Sequence, residues 1–431
     1  MRIVRTSDRA FEREFKRITG RGKSFDPAFE KKVFAILQDV EKRGDRALFA
    51  YAKRFDGVAL TEKTIEVSPL EIREALCSVT EQERSVLELA AGRIRQYHER
   101  QRLETWTYRR DGVELGQKIV PLDRVGIYVP GGLAAYPSTV LMAAIPAKIA
   151  GVREIVMASP VGAGGLNPVL AAAAQIAGVD RIFKAGGAQA VAAMAYGTQS
   201  VPAVDKIVGP GNAWVATAKK LVFGRTGIDM IAGPSEILVI ADASADPAVA
   251  AADLLSQAEH DALASAVLVT PDEDLAKRVL AEVKGQLRRL SRASIAVQAI
   301  RAYGLVAVTQ DLPEAVEVAN RFAPEHLELL VTDPKALLRG IRNAGAVFLG
   351  HHTPEALGDY LAGPNHILPT GGTARFASPL GVYDFVKRIS VLSFDVKALA
   401  KLGKPAAAFA EMEGLDAHGK SILARLRAKK S

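Results

Sequence analysis

The run Arg124-Val125-Gly126-Ile127-Tyr128-Val129 decides the fold of this chain. It is short and apolar, Pro130-Gly131-Gly132 closes it, and a helical pattern from Ser138 to Ala150 follows. An apolar run of this length between turn residues predicts a strand buried on both faces. The same rhythm continues downstream: Glu154 to Ala158, Arg181 to Lys184 and Lys206 to Val208 are further strands, separated by helical patterns over Pro168 to Ala177 and Ala188 to Tyr196. Such alternation predicts a parallel sheet with helices on both faces.

Outward from there, the rhythm restarts after Gly233-Pro234, with strands expected at Ile237 to Ile240, Ala266 to Val269, Leu305 to Val308, Glu328 to Val331 and Ala346 to Leu349. The chain therefore reads as two α/β units of similar build. On the amino-terminal side, residues 26–103 read as helices, with Asp26-Pro27 and Ser68-Pro69 as start signals. Trp106 to Val120 reads as a hairpin turning at Asp111-Gly112. The tail beyond Pro379 carries Tyr383-Asp384-Phe385-Val386-Lys387-Arg388 and two helical stretches.

A chain of 431 residues exceeds one ordinary core and implies about two to four structural units. With 49% apolar and 24% charged residues it has the composition of a soluble globular protein. Met1 to Arg9 lacks a signal-like apolar stretch, and longer apolar runs are broken by Lys148, Gln175, Gly or Pro, so neither secretion nor membrane insertion is expected. The only cysteine is Cys77, which forbids an intrachain disulfide and points to a reducing, cytoplasmic location. It ends the helical pattern Pro69 to Cys77 with no base nearby in sequence, and reads as a packing or surface residue rather than a catalytic thiol. The net charge of +8 is spread along the chain without stacking aromatics or a groove-helix motif. Attraction of an anionic cofactor and solubility account for it better than nucleic-acid binding.

Gly209-Pro210-Gly211-Asn212-Ala213-Trp214 carries the first two glycines of the dinucleotide fingerprint, with Trp214 where the third belongs. On spacing alone it fits a nucleotide turn or a plain strand-to-helix turn, and Tyr128-Val129-Pro130-Gly131-Gly132 leaves the same choice open. Histidine occurs at seven positions. His98, in the charged run Arg95-Gln96-Tyr97-His98-Glu99-Arg100, is expected on a solvated helix face, and His351 and His352 in a polar loop. Ser256-Gln257-Ala258-Glu259-His260-Asp261 reads as helix and puts Gln257 and His260 three apart on one face. With His326, Asp359, His366 and His418 downstream, they form a dispersed N/O set that suits a catalytic metal better than a zinc finger. Glu325-His326 is the strongest acid/base pair: Pro324 restricts Ala323 to extended geometry and supports a turn that brings both groups into a cleft. Taken alone, Ser235 is a turn serine, Asp359 a helix-surface or capping carboxylate, His366 a loop histidine, and Glu413 part of a solvated acidic run.

Taken together and in order, these glycine turns, Ile231-Ala232-Gly233-Pro234-Ser235-Glu236, the Gln257/His260 segment and Ala323-Pro324-Glu325-His326-Leu327 closely resemble the histidinol dehydrogenase family, from about residue 25 to the C-terminus. The resemblance implies an α/β fold of two incomplete Rossmann-like parallel-sheet domains with N-terminal and C-terminal helical arms. Its division is an arm over 1–24, a discontinuous first domain of 25–120 and 236–378, a second, NAD-contacting domain of 121–235, and an arm over 379–431 that reaches onto a second subunit. It implies a zinc ion held by Gln257, His260, Asp359 and His418, NAD contacts from Tyr128, Gln189 and Asn212, and Glu325 and His326 as proton acceptors. Ser235, His366 and Glu413, with the metal ligands and His326, are the implied substrate contacts.

The implied reaction is a four-electron oxidation of L-histidinol to L-histidine through L-histidinaldehyde, using two NAD in succession, in a cytoplasmic homodimer with a shared active site. A related amino alcohol is the alternative substrate. Zinc would anchor and orient the substrate, His326 would take the hydroxyl proton, and Glu325 would activate the water that hydrates the aldehyde. The competing class is an aldehyde dehydrogenase working through a thiohemiacetal on Cys77, which Cys77→Ala would separate from it.

Overall fold

The computed structural model describes residues 1–21, 26–131, 136–162 and 165–427, so Gly132 of the first glycine turn and residues 22–24 of the expected arm lie outside the described residues. The deciding strand forms as Arg124–Tyr128 and is central in a five-stranded parallel sheet. From edge to edge the strands are Arg181–Phe183, Glu154–Ala158, Arg124–Tyr128, Lys206–Val208 and Gly227–Ile228, the last a short edge strand the sequence pattern did not signal. The chain starts in the middle, builds toward one edge, then returns to build toward the other. The reversal falls between Arg124–Tyr128 and Lys206–Val208, the topological switch point of such a sheet.

Alternate residues of the central strand feed opposite cores, as the period of two requires. Val125 and Ile127 pack with the helices Glu81–Glu99, Pro137–Ala150 and Pro168–Ala177. Tyr128, Val156 and Ile207 pack with Pro27–Arg43, Gly187–Tyr196 and Ala213–Val222 on the other face.

The second sheet repeats this plan. Its six parallel strands run Arg2–Arg5, Gly304–Val308, Ser265–Thr270, Glu236–Ala241, His326–Leu330 and Ala346–Leu349, with the switch point between Glu236–Ala241 and His326–Leu330. The N-terminal arm is not purely helical: Arg2–Arg5 joins the sheet edge, and helix Arg9–Thr19 follows and buries Phe11, Phe15 and Ile18 against Phe322.

Both sheets belong to one compact unit, Met1–Gln101 with Leu122–Phe385. The other unit is Arg102–Pro121 with Val386–Ser431. It holds an antiparallel sheet in which Val113–Pro121 lies between Trp106–Arg110 and Val386–Phe394. The hairpin turns at Asp111 (φ 50°) and Gly112 (φ 78°), the two positive φ values of a type I′ turn. Expected with segment 25–120, the hairpin pairs instead with the C-terminal strand, because Val113–Pro121 has a free edge that Val386–Phe394 completes over its whole length. Helices Val396–Met412 and Asp416–Arg427 finish this unit, and Trp106, Tyr108, Leu392, Phe409 and Met412 stay exposed on it.

Candidate active site

Glu325 and His326 reach their positions through a backbone the sequence did not foretell. Ala323 is left-handed (φ 53°, ψ 62°) rather than extended: it ends helix Leu312–Phe322 and donates its N–H to Ala319 O at 2.8 Å. That role usually falls to glycine, and a Cβ there costs energy that the surroundings must hold. Here the helix-ending geometry overrides the preference that Pro324 imposes. The turn then delivers His326 as first residue of its strand, opposite Ile237.

Glu236 clasps both groups. Its N–H donates to Glu325 Oε2 at 2.9 Å, its side-chain Oε2 accepts from the Glu325 N–H at 3.3 Å, and its carbonyl lies 3.0 Å from His326 Nδ1. A carbonyl only accepts, so Nδ1 carries the proton and Nε2 the lone pair. Nε2 is buried without a partner, 3.6 Å from Glu355 Oε1 and 4.0 Å from Asp359 Oδ1. Burial, helped by nearby His260 and His366, pushes His326 down to about 3, so the ring is neutral at physiological pH. Burial holds Glu325 well above the usual carboxylate range.

Helix Glu355–Tyr360 carries two more acids into this place, and burial raises Glu355 to about 8 and Asp359 to about 6. Among the described residues, His326, Glu355 and Asp359 bring ligand atoms within 4.8 Å of one another. His366 Nδ1 donates to Asp359 O at 3.1 Å, which leaves its Nε2 free, and burial lowers it to about 4. Gln257, near the end of helix Pro247–Ala258, has both amide atoms buried and unpartnered. His260 lies beyond that helix, exposed in the following turn, with its N–H 3.2 Å from Gln257 O. The pair therefore shares a helix end rather than a helix face. Unpartnered N and O donors beside carboxylates raised by burial fit a divalent cation, whose charge favours their ionised forms.

Ser235 lies immediately before Glu236, the first residue of its strand, and its carbonyl accepts from the Ser265 N–H at 3.0 Å. Glu413 and His418 lie on the other unit, both exposed, at the end of helix Val396–Met412 and in helix Asp416–Arg427. Glu355 escaped the sequence reading, where its one signal was the four-residue spacing from Asp359 that puts both on one helix face. Glu328, fully buried two residues along from His326, was also missed; its Oε1 accepts from the Glu355 N–H at 2.7 Å, and burial beside Asp253 pushes it up to about 9. His98 is the clear misreading. It is fully buried, with Nδ1 donating to Ile94 O at 2.8 Å, because helix Glu81–Glu99 turns that side inward. His351, His352 and Cys77 are exposed.

At the carboxyl ends of the five-stranded sheet the other expected residues gather. Tyr128 ends the central strand, and its hydroxyl accepts from the Gly187 N–H at 3.1 Å. Gln189, 2% exposed, lies two residues on in helix Gly187–Tyr196, near Asp56, whose carboxyl burial raises above its ordinary value. Asn212 is exposed and caps helix Ala213–Val222, accepting from Trp214 N–H at 3.1 Å and Val215 N–H at 3.3 Å. Gly209, with φ 109°, passes so close that a Cβ would stand 2.2 Å from Tyr128 O. Helix N-termini at this edge attract anions.

The family model described as histidinol dehydrogenase matches residues 20–426. The chain belongs to the histidinol dehydrogenase family. It is 57% identical over 428 residues to histidinol dehydrogenase of Syntrophotalea carbinolica, covering 99% of each chain. Against the histidinol dehydrogenase of Geobacter sulfurreducens the identity is 54% over 429 residues, covering 99% of this chain and 100% of that one. A crystal structure of histidinol dehydrogenase from Elizabethkingia anophelis matches with a TM-score of 0.93 at 37% identity, over 99% of this chain and 98% of that one. The histidinol dehydrogenase fold thus extends over both compact units.

Proposed function

We propose that this chain oxidises L-histidinol to L-histidine through L-histidinaldehyde, passing two hydrides to two NAD molecules in turn. The observation that carries this reading is neutral His326, its Nδ1–H fixed on Glu236 O and its Nε2 lone pair open beside Glu355 and Asp359. A general base for an alcohol needs such a lone pair. His326 Nε2 takes the hydroxyl proton as the carbinol carbon gives up hydride. Glu325 then takes a proton from the water that adds to the aldehyde, and the resulting diol loses the second hydride.

Gln257, His260, Asp359 and His418 would hold zinc, which when bound supplies the positive charge that keeps the Asp359 carboxylate ionised and anchors the substrate nitrogens. Ser235, His366 and Glu413 would contact the substrate, and Tyr128, Gln189 and Asn212 would receive NAD. Glu413 and His418 are exposed, as are Trp106, Tyr108, Leu392, Phe409 and Met412 of the same unit. An apolar surface of that kind supports a homodimer in which each C-terminal arm completes its partner's site. The lone free cysteine supports a cytoplasmic location.

The test is NADH formation with histidinol and with other amino alcohols, before and after chelation. Two NADH per histidinol, lost on chelation and restored by zinc, is the expected result, with Cys77→Ala retaining aldehyde oxidation. One NADH per histidinol, or preference for another amino alcohol, would overturn the assignment.

A further inference from the structure

We propose that Arg21, from the N-terminal arm, is the positioning residue that holds the acid/base pair and the neighbouring site turns in register; this rests on the reading of Glu325 and His326 as the proton acceptors. Arg21 lies just beyond helix Arg9–Thr19, and its side chain is 2% exposed. Nη1 donates to Ile18 O at 2.9 Å, which ties the guanidinium to the helix it follows. Nε donates to Leu263 O at 2.9 Å, in the Asp261–Ala264 turn that follows His260. Nη2 donates to Glu236 Oε1 at 2.9 Å and to Ser235 O at 3.4 Å.

Glu236 in turn makes the clasp on Glu325 and His326 through its N–H, its carbonyl and its other carboxylate oxygen. One planar group is therefore a single hydrogen bond away from Ser235, from the turn that follows His260 and from the residue that fixes the His326 tautomer. A buried ion pair contributes little net stability compared with apolar packing. What the fork supplies is direction, to acceptors on separate chain segments, which a lysine's point charge cannot match. Displacement of a reacting group by about 1 Å costs on the order of 10²-fold in rate.

The experiment compares zinc-loaded Arg21→Ala and Arg21→Lys with Glu325→Gln and His326→Asn. Arg21→Ala should lower kcat for histidinol by about 10²-fold while the KM for NAD holds, since Tyr128, Gln189 and Asn212 are set by the other sheet. Added guanidinium should restore part of the lost rate in Arg21→Ala and none in His326→Asn. If Arg21→Ala does not fold, Arg21→Lys carries the test: it keeps the charge, loses the fork, and should still lose kcat with an unchanged KM for NAD. Unchanged kcat in folded Arg21→Lys, or a loss that only follows the folded fraction, overturns the proposal. Full activity in Glu325→Gln and His326→Asn would overturn the underlying reading instead.

Discussion

The five-stranded sheet gathers Tyr128, Gln189 and Asn212 at the carboxyl ends of its strands, whereas the six-stranded sheet, laid out in the same order apart from its added edge strand Arg2–Arg5, gathers Glu236, Glu325 and His326 at the amino ends. The difference follows from helix polarity. At the first edge helices begin, as at Asn212, and their N–H groups favour a phosphate. At the second, helices Pro247–Ala258 and Leu312–Phe322 end, and their carbonyl ends favour cations. One topology thus offers an anion edge and a cation edge. A buried ion pair secures each: Arg21 with Glu236 at the amino edge, and Lys219 with Asp229 at the carboxyl edge. The latter holds Gly209 from both sides, with Lys219 Nζ donating to its carbonyl at 2.9 Å and Asp229 Oδ2 accepting from its N–H at 2.8 Å.

The largest effects should come from the cation edge. His326→Asn should slow histidinol oxidation, and Glu325→Gln the oxidation of added histidinaldehyde, each by on the order of 10²–10⁴-fold for loss of a general base. Stopped-flow NADH formation with each substrate separates them. If Glu325→Gln slows both half-reactions by one factor, the division of labour is wrong. At the anion edge, Lys219→Met leaves Asp229 buried and unpaired, with an expected loss of about 3–5 kcal/mol in denaturant unfolding. A loss below about 1 kcal/mol would show that the pair is solvated and does not fix the Gly209 turn.

Proton linkage distinguishes the edges next. In chelated protein, Asp359 at about 6 and Glu355 at about 8 lie above their unfolded values. The folded state then holds more protons, and stability falls as pH rises through those values. His326 at about 3 and His366 at about 4 lie below theirs, so their contribution is present above the unfolded histidine value of about 6.5 and is lost as pH falls below it. The two trends oppose one another in mildly acid solution. From there up to about pH 8 only the carboxyls act, so the melting temperature of chelated protein should decline. Zinc should flatten that decline, and an identical decline with and without zinc would remove the metal from this cluster.

Much of this was legible in the sequence because it is periodic. Arg124–Tyr128 and Ser265–Thr270 are apolar runs that read as buried strands, and the Asp111-Gly112 turn names its own geometry. The sheet edges were not legible. Arg2–Arg5 becomes a strand only because Gly304–Val308 offers a free edge, and a charged tetrapeptide gives no sign of it. The acids behind the site were equally hidden. Glu236 stands in a strand whose other residues are apolar, and Glu328 in one whose other residues are leucines and His326; alternation cannot tell a buried acid from a solvated one. Ala323 was hidden for the opposite reason: the local preference of a residue before proline is clear, but the helix-ending geometry set by the tertiary structure overrides it.

The smallest expected effect tests whether the carboxyl edge binds charge or merely starts a helix. Asn212 does the second visibly, since its Oδ1 accepts from the N–H groups of Trp214 and Val215. Asn212→Ala removes the cap and should cost about 1 kcal/mol of stability. Asn212→Asp keeps the accepting oxygen, so the helix start survives, but it places a negative charge where a pyrophosphate would approach. If the edge serves NAD, Asn212→Asp should raise the KM for NAD while retaining the melting temperature, and the rise should shrink with added salt, because exposed charges are screened. A KM that follows stability instead, rising in Asn212→Ala and normal in Asn212→Asp, would reduce Asn212 to a helix cap and move the cofactor away from this edge.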